Sequence, residues 1–136
     1  MALPSVGGGY QNNDGNLNET KIGVCPEPQT ATSTATLSTT QLLSGILLGS
    51  PGSSAAAYTT PTGTAIDAVL TNAKTGSFFD LSICNVDGSG SGVITLTAGT
   101  GVTAVGLMTV AATAGTSQLF RFRKTGTATW TVYRYA

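Results

Sequence analysis

The 136-residue chain predicts an all-β fold: an antiparallel, jelly-roll-like β-sandwich with one or two short helical turns and an extended N-terminal arm. Three observations predict it. Thr, Val and Gly are abundant while Lys, Glu and Gln are few, which favours strands and turns over helices. Alternating runs of about five to eight residues recur at regular spacing between Gly-rich turns, the pattern of a sandwich or barrel. The large rings gather in the closing stretch "SQLFRFRKTGTATWTVYRYA", residues 117–136, where two strand-like runs can set them on one face. The length suits one domain.

Residues 1–30 stand apart. "GGGYQNNDGNLNET" is rich in Gly and Asn and has no period, and "CPEPQ" adds prolines that remove backbone donors. Half of the six acids, Asp14, Glu19 and Glu27, fall here. The composition predicts an extended arm over 1–30, either a loose terminus or a strap that lies on a neighbouring subunit or another protein, and a sandwich domain over 31–136. Tyr10, Leu17, Ile22 and Val24 are the arm's candidate contact residues.

The domain opens with a Thr/Ala strand in "TATSTATL". Ser38-Thr39-Thr40-Gln41 then fits a capping box, a hydroxyl at the cap with Gln three residues on. It predicts a single helical turn over Thr39–Ser44 that Gly45 can end. "ILLG" resumes as a short buried strand before a Pro51-Gly52 turn. "YTTPTGTAIDAVLTNAKTG" reads as strand, turn and short helix. Thr64 with Asp67 three residues later marks a second helix start, Ile66, Val69 and Leu70 share a face, and Gly76 closes it.

"SFFDLSICNV" reads as a strand followed by the turn "DGSGSG". "VITLTA" alternates strictly, with Val93, Thr95 and Thr97 on one face and Ile94, Leu96 and Ala98 on the other. After the turn "GTG", "VTAVGLMTVAA" gives one or two short strands, and "TAGTS" turns again. "QLFRFRKT" and "ATWTVYRY" flank Thr125-Gly126-Thr127. Phe120 and Phe122 point one way on the first of these strands, and Trp130 and Val132 share a face of the second, so these four can cover one core. Each large aromatic removes about 150–250 Å² from water, several kcal/mol apiece before entropy.

Packing does not explain the arginines. Arg121 and Arg123 alternate with core residues and so face outward. Outward charges discourage strand-to-strand association. Alternatively, Arg121, Arg123, Tyr133 and Tyr135 form a subunit interface, where Arg and Tyr are enriched.

Little in the sequence offers chemistry. There is no histidine, the commonest general base and a common metal ligand. No carboxylates or cysteines have metal-ligand spacing. Asp80 and Asp87 read as solvated surface groups, and the Gly-rich stretches lack the strand–loop–helix frame and lysine of a phosphate loop. The expectation is a protein that is not an enzyme and uses no cofactor or metal. Net charge is zero with 9% charged residues, which argues against a nucleic-acid partner and for a surface covered by an assembly. No apolar run is long enough for a membrane helix, so no membrane partner is expected. "MALPSVGGGY" has no secretory pattern, so Asn18 in "NET" is expected to be unmodified and Cys25 and Cys84 reduced. Cys84 reads as a small buried apolar residue.

The stretch from "TLSTTQLLSGILLGSPGSSAAAYTTPTGTAIDAVL" to "FRFRKTGTATWTVYRY" resembles small β-rich structural proteins of tailed bacteriophages. These are the capsid decoration (cement) proteins and related head-fibre or fibre-tip domains. The likeness lies in "QLLSGILLGSP", "YTTPTGTAIDA" and the closing "WTVY", and covers roughly residues 30–136. It implies a homotrimer that sits on three-fold or quasi-three-fold positions of a virion. Its partner would be the major capsid protein, and adjacent capsid subunits would be bridged from the capsid surface after synthesis in the host cytoplasm. The alternative is a fibre tip that recognises host surface glycan through exposed Tyr133 or Tyr135.

Overall fold

The computed structural model describes residues 23–87 and 91–136. Within them the strands are β1 (Gln29–Ala31), β2 (Ala35–Thr36), β3 (Ile46–Gly49), β4 (Ala56–Thr59), β5 (Phe78–Asn85), β6 (Ile94–Thr97), β7 (Val102–Val105), β8 (Thr109–Val110), β9 (Thr116–Gly126) and β10 (Thr129–Arg134). Helix α1 (Thr39–Leu43) follows β2, and α2 (Gly63–Val69) follows β4.

Two sheets result, a six-stranded one ordered β1-β3-β5-β9-β10-β7 and a four-stranded one ordered β2-β4-β6-β8. Through β8, successive strands alternate between the sheets. In the first three passes the chain lays one strand in the large sheet and one in the small sheet beside those of the pass before, whereas β7 takes the far edge of the large sheet next to β10. Strands laid down on every second crossing run the same way. The expectation of an antiparallel sandwich is therefore corrected to a mixed one, with five of the eight pairings parallel. Only the later strands restore antiparallel pairing, β6 with β8, β5 with β9, and β9 with β10.

The corners repeat as well. After β2 and after β4 the chain makes a short helix before re-entering the large sheet, and after β6 the tight turn through Gly99 and Gly101 takes that place. The corners are stitched together by Leu37 N donating to Thr59 O, Thr60 N to Thr97 O, and Gly63 N to Thr100 O, each at 2.8 Å. Helix α1 has the predicted capping box: Ser38 Oγ accepts from Gln41 N while Gln41 Oε1 accepts from Ser38 N. Gly45 follows at φ 80°, a conformation that favours glycine.

The start of α2 is corrected by two residues. Thr62, not Thr64, is its cap, accepting from Ala65 N at 3.1 Å. The helix ends at Val69, well before Gly76, which instead turns the chain into β5 at φ 95°. Of its expected apolar face, Ile66 is fully buried, Leu70 is half-buried and Val69 is exposed.

One core lies between the sheets. Leu47, Leu81, Ile83, Phe120, Phe122, Trp130 and Val132 come from the large sheet, and Ala56, Tyr58, Ile94, Leu96 and Val110 from the small one. The predicted quartet Phe120, Phe122, Trp130 and Val132 is buried on one face. Phe79 stacks on Phe122 with ring centroids 4.9 Å apart, and tilts against Trp130. A Cβ at Gly49 would overlap Ile94 Cδ1 across the sheet gap and come 3.2 Å from the Tyr58 ring, so a larger residue there would have to displace the Ile94 side chain. Among the described residues Tyr58 is the one buried phenol, and its hydroxyl donates to Ala31 O at 2.9 Å. Both Cys25 and Cys84 are free thiols, and Cys84 is half-buried on the outer face rather than in the core.

Candidate interaction surface

β5, β9 and β10 are adjacent strands near the middle of the large sheet, and their register fixes what lies on its outer face. Asp80 pairs with Arg121, and Arg121 with Tyr133. Phe78 pairs with Arg123, and Arg123 with Thr131. Ser82 lies between Ile46 and Leu119, and Cys84 between Leu48 and Ser117. Val105, on the edge strand β7, sits beside Tyr133. Because side chains alternate across a strand, all of these point away from the core.

Arg121 is the centre of the face. Its Nε and Nη2 donate to the two carboxylate oxygens of Asp80 at 2.8 and 2.9 Å, a bidentate pair. The guanidinium lies 4.2 Å from the centroid of the Phe78 ring and 4.0 Å from that of Tyr135. Hydrogen bonding from Arg121 holds the Asp80 carboxyl below its usual range, partly opposed by desolvation. The same bond raises the Arg121 pKa further. The reading of Asp80 as a solvated carboxylate is thus corrected. What the sequence leaves hidden is the pairing of β5 with β9, which sets Asp80 opposite an arginine 41 positions away.

The structure brings Arg121, Arg123, Tyr133 and Tyr135 onto this one face. β9 is flanked on both sides, so protection of an exposed edge is not the role of its arginines. Tyr135 and Phe78 are more than half exposed, at 56% and 58%, and Ile46 and Val105 are exposed as well. Arg123 has no carboxylate partner among the described residues. Of the arm residues, Tyr10, Leu17 and Ile22 lie outside the described residues, and Val24 is fully exposed.

The other outer face is different in kind. Ala57 pairs with Thr95, and Thr95 with Thr109; Thr36 pairs with Thr59, and Thr59 with Thr97. A water-facing sheet surface of Thr and Ala is what alternation in a solvated sandwich produces. The large sheet puts Ile, Leu, Phe, Tyr and Val in the same position.

Beside the large sheet is an open apolar groove of about 360 Å³, lined by Val69, Leu70, Thr71, Asn72, Ala73, Ser77, Phe78, Phe79 and Trp130. Phe78 belongs to both groove and outer face. A second groove of about 350 Å³ lies on the other side of Val69 and is lined in part by Pro26, Glu27 and Gln29.

A further cluster escaped the sequence reading. Asp67 is not a helix-start acid. Its carboxylate accepts from Trp130 Nε1 at 2.9 Å and Ala128 N at 2.8 Å, and pairs with Lys124 Nζ at 2.6 Å. These bonds hold its pKa down, Lys124 first among them. The cluster ties α2 to the β9–β10 hairpin, with the carboxylate committed to three donors. Among the described residues no group of three or more acids, cysteines or histidines is placed to hold a metal ion.

No protein-family model, no curated protein and no solved structure matches this chain.

Proposed function

We propose that this protein is a structural virion component: a homotrimeric decoration protein that binds the outside of a phage capsid and bridges adjacent capsid subunits. One observation carries the reading. The outer face of the large sheet presents apolar and aromatic side chains around an internally neutralised arginine, while the opposite face is Thr and Ala. Apolar side chains gain from being covered, and Arg121 brings its own counter-charge in Asp80, which offsets part of the cost of desolvating it. Arg121, Arg123, Tyr133 and Tyr135 are the interface's polar anchors in this reading.

Two sheets around one core suit such a component, and its jelly-roll-like character is part of the proposal. The reading also accounts for a chain with 9% charged residues, whose surface is suited to being covered. Capsid contact is assigned to the arm over residues 1–30, whose last two residues open β1. Several weak arm contacts on one trimer reinforce one another through effective concentration. The bridging function requires no catalytic group and no cofactor.

The test has two arms. Sedimentation equilibrium of the full chain at micromolar concentration is expected to give a trimer. Deleting residues 1–22, which leaves every described strand in place, is expected to keep the trimer and abolish attachment to undecorated phage heads. A monomer in the first arm, or attachment without the arm in the second, overturns the reading. Binding of the isolated protein to host glycan, with no affinity for heads, would replace it with a fibre-tip module.

A further inference from the structure

We propose that an internal water molecule is bound where β5 ends, between the side-chain oxygens of Asn85 on β5 and Gln118 on β9.

The inner face of the β5–β9 pair changes character along its length. Phe79 lies opposite Phe122 and Leu81 opposite Phe120. Beyond them Ile83 lies opposite Gln118, and Asn85 opposite Thr116. An apolar face thus runs out into polar side chains. Asn85 is fully buried, and Gln118 is half-buried. Asn85 Nδ2 donates to Gly92 O at 2.8 Å and to Ala111 O at 3.0 Å, so both of its donors are used. These bonds also fix which end of the amide is the oxygen. That oxygen, Oδ1, is buried without a partner, and so is Oε1 of Gln118. Among the described residues these are the only buried side-chain polar atoms left so.

Their places in the sheet relate them. Asn85 and Gln118 are diagonal neighbours on one face, with Cβ atoms about 7 Å apart or less. Each side chain covers part of that gap, and a molecule between the two oxygens spans two hydrogen bonds of about 2.8 Å each. A buried carbonyl oxygen without a donor is costly. Two of them side by side call for one shared donor rather than two separate defects.

Their chemistry selects the ligand. Both atoms are acceptors, so an anion has nothing to hold it there. A cation buried among neutral amides needs a counter-charge. The carboxylate nearest to Asn85 in sequence, Asp87, is exposed and accepts from the Ser50 hydroxyl. Water is neutral, donates two hydrogen bonds, and is the usual partner of buried polar groups of this kind. Bound here it would also hold two loops. Asn85 ties down the β5–β6 connection through Gly92 O and the β8–β9 loop through Ala111 O, and its own carbonyl accepts from Gly115 N at 2.7 Å. A donor on Oδ1 fixes the plane of the amide from which both side-chain bonds are made.

A high-resolution crystal structure of the full chain tests it. A water within hydrogen-bonding distance of both Asn85 Oδ1 and Gln118 Oε1 is expected. Gln118 turned so that its Nε2 donates directly to Asn85 Oδ1 overturns the proposal. So does a cation at that place, or no bound molecule between the two side chains. Oxygen-17 relaxation dispersion gives a second reading in solution, because it counts waters held inside a protein. Gln118→Met keeps the length of the side chain and removes Oε1, and a flexible apolar side chain is tolerated there. The folded variant is expected to hold one long-lived water fewer than the wild type. An equal count means that no water is bound between Asn85 and Gln118.

Discussion

The indole of Trp130 and the carboxylate of Asp67 are joined by a 2.9 Å hydrogen bond across 63 positions of sequence. Trp130 is the largest buried side chain, and its N–H needs an acceptor inside the protein. Asp67 supplies it, and also takes Ala128 N and Lys124 Nζ. Replacing Asp67 by Ala would leave a buried N–H unpaired and Lys124 without a carboxylate. Thermal unfolding followed by circular dichroism is expected to show a loss of several degrees, well beyond that of Asp87→Ala, whose carboxylate among the described residues accepts from the Ser50 hydroxyl alone. The double variant Asp67→Ala/Lys124→Met is expected to lose less than the two single variants summed, because the stranded ammonium is gone.

Acid is expected to act through the same carboxylates. Asp67 and Asp80 have folded-state pKa values below their ordinary 3.8. A depressed carboxylate contributes stability that is complete above the unfolded pKa and is lost as pH falls through the folded one. Stability should therefore be flat near neutrality, begin to fall near pH 4 and continue downward. The buried Tyr58 phenol is pushed above 10.0 by desolvation, so the alkaline limb begins near pH 10, where the unfolded phenol ionises first. Denaturant midpoints measured from pH 2 to 11 check both limbs. An Asp67→Asn variant with an unchanged acid limb would remove Asp67 from the account.

Tyr58 also tests the first pass of the chain. Its hydroxyl reaches from β4 in the small sheet to Ala31 O on β1 at the edge of the large one. Tyr58→Phe removes that bond together with a longer one to Thr32 O at 3.4 Å and the backbone bond from Ser50 to the phenol oxygen. Ala31 O keeps its bond from Ser50 N at 2.9 Å, so no orphan is created. A loss of about 1 kcal/mol in urea unfolding is expected, the net value of one neutral hydrogen bond.

Local features were legible in the sequence, and partnerships across the sheets were not. Ser38 and Gln41 announce α1 because a capping box needs only four consecutive residues. Phe120, Phe122, Trp130 and Val132 declare a common face because alternation is a local property of a strand. Strand direction is different. "ILLG" looks the same whether its neighbours run with it or against it, so the winding between sheets that makes β1, β3 and β5 parallel leaves no mark in any single run. Asp67 shows the same limit. Three residues after Thr64 it imitates a helix start, and only the fold brings Trp130, Ala128 and Lys124 to it. Of the interface candidates, Arg121, Arg123, Tyr133 and Tyr135 were found by alternation. Ile46, Leu48 and Phe78 were missed, since register alone places them beside the others.

Gly63 is a second place where long-range approach dictates a residue. A Cβ there would lie 2.0 Å from Ala128 O and 3.1 Å from Gly101 O, both backbone atoms. Gly63→Ala must push α2 away from the β9–β10 turn, the same junction that Asp67 ties. A cost of about 1–3 kcal/mol is expected from overpacking. Gly52→Ala makes a useful contrast, since its φ of 69° strains the backbone but nothing lies within 4 Å. Urea unfolding of the two variants separates crowding from strain: only the first is expected to lower the stability gained from the Asp67 bonds in a double-mutant cycle with Asp67→Ala.

The two outer faces provide the sharpest comparison. Ile46 lies on the large sheet beside Ser82, in the row that runs on to Leu119, and Thr97 on the small sheet beside Thr59. Both are on strands, both are exposed, and neither contributes to the core. A lysine at either site can extend into water in an isolated subunit, so folding is expected to survive both changes. If the large sheet's outer face is covered by a sister copy, Ile46→Lys places an ammonium in an apolar contact, and Asp80 on the same face is already committed to Arg121. Association should weaken tenfold or more, the equivalent of about 1.4 kcal/mol. Thr97→Lys should leave association unchanged. Sedimentation velocity across a concentration series reads both, and equal behaviour of the two variants would mean that the apolar character of the large face has nothing to do with assembly.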